Sequence, residues 1–154
     1  MTADLTIAGF QPDFAVLAEH IASERAAIYP AKIEAKAMTQ ADADHRIFVA
    51  RAIAEIWRCA TDVHLRPKPG LLRLTRGEAL ADLDRAIDIA DRRILKAPDD
   101  RHRQHERDQL AAMRWWHARY DHPSAYALSM ILNLRYDALQ LQLRADADRG
   151  KAAA

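Results

Sequence analysis

The sequence predicts an all-α fold, a bundle of four to five helices, and three observations lead there. Apolar residues recur at spacings of three and four, the period of one helix face. Only four glycines and six prolines interrupt 154 residues, so long uninterrupted helices are available. Helix-start chemistry stands where helices are needed: Thr39 before Asp42, Thr75 before Glu78, and Pro98-Asp99-Asp100. Half the residues are apolar, which is enough to bury one core at this length and not enough to favour two domains. Residues 1–148 read as a single helical domain and 149–154 as a frayed tail.

The first helix starts near Pro12, a favoured first-turn residue, and aligns Phe14, Leu17, Ile21 and Ile28. Pro30 lacks the backbone donor a helix interior uses, so a kink or break is expected near Tyr29, with "AKIEAKAM" continuing beyond. The second helix carries Ile47, Val49, Ile53, Ile56 and Trp57 on a broad arc, which implies contact with two neighbours. In the third, Leu80, Leu83, Ile87, Ala90 and Ile94 form a heptad-like seam. Asp82, Arg85, Asp88 and Arg92 read as its solvated face, with Asp88 and Arg92 placed to pair.

The fourth helix opens at Pro98-Asp99-Asp100 and aligns Leu110, Met113, Trp116 and Tyr120. His122-Pro123 reads as its break from the fifth. That last helix, from about Ser124 to Arg144, has two apolar stripes: Leu128, Leu132, Leu139 and Leu143 on one side, Ile131, Leu134, Ala138 and Leu141 on another. Two stripes mark it as the expected central helix. Between the second and third helices, Thr61 to Thr75 forms a long basic loop stiffened by Arg66-Pro67-Lys68-Pro69-Gly70. Leu71, Leu72 and Leu74 are expected to tie it to the core.

Composition excludes several classes. Twenty-three basic residues face 22 acidic ones, so no strong overall field draws the chain to nucleic acid or anionic membrane. A single cysteine, Cys59, rules out an intrachain disulfide and reads as a packed thiol. "MTADLTIAGF" lacks the basic start of a signal peptide, and "AYALSMILNL" is too short to span a bilayer. A cytoplasmic protein is the expectation.

Catalytic signatures are missing. No glycine-rich phosphate loop and no nucleophile elbow occur, and no catalytic residue or cofactor is assigned. Of seven histidines, His102 and His105 share a helix side with Glu106, the weak candidate set for a metal. Their segment, "DDRHRQHERD", is polar throughout and reads first as a solvated helix start. Phosphate binding has two partial supports: the loop with Arg66, Lys68, Arg73 and Arg76, and the fourth helix with Arg107 and Arg114 among its arginines.

In "MRWWHARYDHP" the helical period assigns Trp116 and Tyr120 to the core and turns Trp115 to the reverse side, beside Ala111, Ala118 and Arg119. One helix cannot bury both rings against one neighbour. Trp115, Arg119, Ala111 and Ala118 are therefore the candidate protein interface, with the Leu71–Leu74 loop as the alternative cover.

Residues 23–57, "SERAAIYPAKIEAKAMTQADADHRIFVARAIAEIW", resemble a helical segment of uncharacterised phage and proteobacterial proteins. Arg25, Tyr29, Pro30, Ala41, Asp44, Ile47, Ala52 and Ile53 carry the likeness, and Ala37 stands where such segments often have glycine. The resemblance implies a helical hairpin and a mobile-element origin, and brings no activity with it. The expected function is a non-enzymatic interaction module, self-associating or bound to a protein partner. Nucleic-acid binding is the first alternative and a metal-dependent enzyme the second.

Overall fold

A computed structural model describes residues 13–120 and 125–154. Expectations that fall on residues 1–12 and 121–124, the start at Pro12 and the His122-Pro123 break among them, lie outside the described residues. Within them the chain forms five α-helices: α1 (Asp13–Glu34), α2 (Gln40–Thr61), α3 (Arg76–Lys96), α4 (Arg101–Arg119) and α5 (Tyr126–Ala153). A 3-10 turn (Pro69–Arg73) interrupts the α2–α3 connection. The most extensive contacts join α1 to α2 and α3 to α4, so the body is two antiparallel hairpins with α5 laid against α2.

Local chemistry sets the starts. Thr39 and Thr75 accept hydrogen bonds from the Asp42 and Glu78 amides at 3.1 and 3.2 Å. Asp100 accepts from the His102 and Arg103 amides at 3.0 and 3.2 Å. Each satisfies donors that a helix start leaves without intrahelical partners.

Helix α1 stays continuous through Pro30 instead of breaking there. It stops at a Schellman turn: the Ala37 amide donates to the Lys32 carbonyl at 2.9 Å, and the Lys36 amide to that of Ile33 at 3.0 Å. The turn puts Lys36 at φ 57°, the left-handed region where glycine is the usual occupant.

Helix α2 is the central element. From Val49 to Ala60 only Arg51 and Arg58 are exposed. Alanines at 50, 52, 54 and 60 let neighbouring backbones approach, while Ile53, Ile56 and Trp57 fill the space between them. Trp57 packs edge-on against Phe14 of α1, with ring centroids 5.0 Å apart. The central role predicted for α5 therefore belongs to α2. Ile131 and Leu134 of α5 are buried, but Leu132, Leu139 and Leu143 face outward. The helix runs on to Ala153.

Two further expectations reverse. Ile28 is exposed, and the core side of α1 instead runs Phe14, Leu17, Ala18, Ala22, Arg25 and Tyr29. Asp82, expected in solvent, is 2% exposed and meets Arg25, itself 7% exposed, at 2.6 Å. The Arg25 guanidinium also donates to the Arg46 carbonyl at 3.4 Å, and Arg85 reaches Asp82 at 3.3 Å. The pair ties α1 to α3, which share little backbone contact. Arg92 turns to the Asp88 backbone carbonyl at 3.3 Å rather than to its carboxylate.

Replacing Lys36 with glycine should raise the unfolding free energy by roughly 0.5–1 kcal/mol in urea denaturation, because the left-handed turn no longer strains a side chain. Asp82→Ala should cost roughly 3–5 kcal/mol by stranding the Arg25 charge, while Arg25→Leu combined with Asp82→Leu should recover most of that loss. A double variant as unstable as the single one would show that the apolar pair does not fit.

Candidate functional site

The best-organised polar group in the molecule lies inside it. The Trp57 indole N–H of α2 donates to His117 Nε2 at 3.0 Å. Because Nε2 accepts, the neutral ring carries its proton on Nδ1, which faces the Tyr126 hydroxyl of α5 at 2.6 Å. That hydroxyl lies 3.4 Å from the His117 carbonyl and can donate there. His117 is fully buried, and burial pushes its pKa down to about 3. Burial also raises the Tyr126 phenol well above its ordinary value. The chain Trp57–His117–Tyr126 joins three helices and holds them together. The sequence reading missed His117 because it follows Trp116 by one residue and looks like a polar neighbour of a core position.

The aromatic surface of α4 is partly covered. Trp116 is buried and Tyr120 half-buried, with Tyr120 bonded to the Asp137 carboxylate. Trp115 is also partly buried, edge-on to Trp116 at 5.1 Å. The Arg119 guanidinium lies over Trp115, Trp116 and Tyr120 at 5.2, 5.4 and 5.8 Å, and 3.9 Å from Asp137. Arg119 thus acts as a lid on the ring it was expected to flank. Ala111 and Ala118 are both part-buried.

The arginines expected to bind phosphate divide into two groups. Arg107 pairs with Asp91 at 2.9 Å, and Arg114 pairs with Asp84. Arg76 donates to the Ala118 carbonyl at the end of α4 at 2.7 Å. These three stitch α3 to α4 and are engaged within the fold. Lys68 and Arg73, by contrast, line an open cleft of about 690 Å³ on the outer side of α2, together with Arg51 and Arg58. Arg66 is exposed but does not line the cleft. The missed residues had a legible signal: Asp44, Phe48, Arg51, Glu55 and Arg58 repeat at spacings of four and three, one face of α2.

The cleft is held open by well-placed contacts. Leu71 and Leu74 are buried as expected, while Leu72 is exposed. Arg135 of α5 donates to the carbonyls of Cys59, Asp62 and Leu65 at 2.7, 3.2 and 3.0 Å, capping α2 and clamping the start of the loop. Cys59 is fully buried, and burial with the nearby Glu55 carboxylate pushes its thiol pKa up, the wrong direction for a nucleophile.

No family model, curated protein or solved structure matches this chain. The functional reading therefore rests on its own surfaces.

His102, His105 and Glu106 line a second cleft, of about 380 Å³, between α4 and α1, facing His20 and Asp13. Among the described residues, no three His, Cys, Asp or Glu side chains are grouped so as to hold a metal ion. The described helices also include none long and apolar enough to cross a membrane. The most distinctive exposed apolar surface is on α5, where Leu132, Tyr136, Leu139 and Leu143 are 65%, 62%, 55% and 53% exposed at spacings of four, three and four.

The buried imidazole has a measurable consequence. As pH falls below 6.5 the unfolded chain protonates His117, while the folded chain resists until about pH 3. Stability should fall with pH across that window, by up to about 1.4 kcal/mol per unit from this group. His117→Phe should flatten the slope of unfolding free energy between pH 6.5 and about 4 by close to one proton. An unchanged slope would mean that the folded imidazole already titrates normally.

Proposed function

We propose that the protein is a non-enzymatic helical interaction module that self-associates through the outer stripe of α5. The exposed run Leu132, Tyr136, Leu139 and Leu143 carries this reading. Its four-three-four spacing is that of a coiled-coil seam, in which a second identical helix presents matching knobs and holes. The residues flanking the seam include Asn133, Gln140 and Gln142, which set no like charges against each other when two copies meet. From Gln142 onward every residue of α5 is exposed, so among the described residues little packs against its last turns. Short helices without such packing are marginal in water, and a second copy would supply it. The resemblance of residues 23–57 to phage and proteobacterial segments adds a mobile-element origin to the proposal.

The interface anticipated on α4 is the weaker candidate, because Arg119 already lies over Trp115. Sedimentation distinguishes the two surfaces. The wild-type chain should sediment as an oligomer at about 100 µM, and Leu139→Asp should raise the dissociation constant at least about tenfold without loss of helicity. Trp115→Ala should leave association unchanged. A monomeric wild type at that concentration overturns the proposal, and dissociation by Trp115→Ala alone would move the interface to α4.

A further inference from the structure

We propose that the cleft between α2 and the 3-10 turn binds a nucleotide, either free or as a unit of a single strand. The site stands apart from the α5 stripe and does not depend on self-association. One wall is the α2 face Asp44, Phe48, Arg51, Glu55 and Arg58, and the other is Lys68, Gly70, Leu71 and Arg73. Its volume of about 690 Å³ suits a small ligand, and its walls are preformed by Pro67, Pro69, the Leu71 anchor and the Arg135 clamp.

The charges inside are not equivalent. Glu55 is paired with Arg58 and nearly buried, so that pair is internally neutralised. Arg51 is exposed and Lys68 is exposed, and neither has an ion-pair partner among the described residues. Arg73 lays its guanidinium on the Phe48 ring at 5.1 Å. That stack presents a flat cationic platform on which an aromatic base can lie, since arginine planes and aromatic rings are both stacking surfaces for bases. Arg51 stands three residues from Phe48 on the same face, roughly 4.5 Å along the axis, which suits a phosphate attached to a base stacked there. Asp44, four residues in the other direction, is an acceptor available to a base's amino groups, although Gln40 already donates to it at 2.8 Å. Glu19 also lines the cleft and keeps it from being a general anion trap. A bare anion would use the cations alone; a nucleotide uses platform, cations and acceptor together.

Fluorescence anisotropy with a labelled oligodeoxyadenylate of about ten nucleotides at low salt, competed by adenosine monophosphate or by inorganic pyrophosphate, tests the site. Arg51→Glu and Lys68→Glu should each weaken binding at least tenfold, with affinity falling steeply as salt rises. Phe48→Leu should weaken oligonucleotide and adenosine monophosphate binding severalfold while leaving pyrophosphate unaffected. Arg101→Glu, on exposed α4 surface outside the cleft, should change neither. Competition by adenosine monophosphate at strand-like affinity assigns a free nucleotide, and binding of the strand alone assigns single-stranded nucleic acid. Pyrophosphate or an acidic peptide binding as tightly as either nucleotide, with no effect of Phe48→Leu, overturns the proposal. So does the absence of binding to both nucleotide probes with the wild-type fold intact by circular dichroism.

Discussion

The hydrogen bond from Trp57 to His117 is the interaction on which the arrangement of helices depends. A fully buried imidazole is tolerable only if both its nitrogens are satisfied, and here they fix three helices at once: α2 donates, α4 holds the ring, and α5 receives through Tyr126. Removing any member would leave a buried polar atom without its partner, which costs more than the bond itself contributes. The same indole packs edge-on against Phe14, so α1 is set against the group as well. A core of alanine and isoleucine alone would permit several sliding registers between smooth helices. One directional chain of donors and acceptors singles out a register for α2, α4 and α5 together.

The balance of charge has a physical meaning that composition alone does not convey. Three of the five acids of α3 are spent on basic partners in other helices: Asp82 on Arg25, Asp84 on Arg114 and Asp91 on Arg107. The exposed pairs of Asp84 and Asp91 contribute little stability individually, unlike the buried Asp82–Arg25 pair, but all three select which helix faces lie against each other. Arg93 reaches Glu24 at 2.7 Å and the Arg103 guanidinium reaches the Arg93 carbonyl at 2.9 Å, extending the lattice across α1, α3 and α4. Basic residues left outside that lattice are the ones available for partners. Arg51 and Lys68 are of this kind, and they meet in one cleft.

Much of the local structure was legible in the sequence. Caps at Thr39, Thr75 and Asp100 are decided within three residues, and the core positions Leu110, Met113 and Trp116 follow from helical period. What could not be read was tertiary. Arg25 and Asp82 are 57 residues apart, Trp57 and His117 are 60 apart, and each polar side chain by itself signals solvent. The two stripes of α5 were visible, but spacing says only that both are apolar, and the position of α2 decides which is covered. At Pro30 the helix does not break: the propensity cost is local, whereas the packing of Phe14 through Tyr29 against neighbouring helices keeps α1 whole. The cleft was half legible, since Lys68 and Arg73 stood out in the loop while Arg51 and Arg58 were hidden in a helix read for its core.

Arg135 joins the two outer surfaces mechanically. Its guanidinium holds the end of α2 and the first residues of the loop, and its backbone lies one residue before Tyr136 of the exposed stripe. A second copy seated on that stripe, as proposed, would pack beside the residue whose side chain clamps one wall of the cleft. Ordering a segment that another ligand would otherwise have to order itself lowers the cost of binding that ligand, with no change of shape required. By linkage, a ligand that rigidifies the loop against Arg135 would favour the proposed associated form to the same degree. Any such coupling would run through a single side chain making three hydrogen bonds to backbone carbonyls. A lysine there would keep the charge but lose the planar fork that reaches all three.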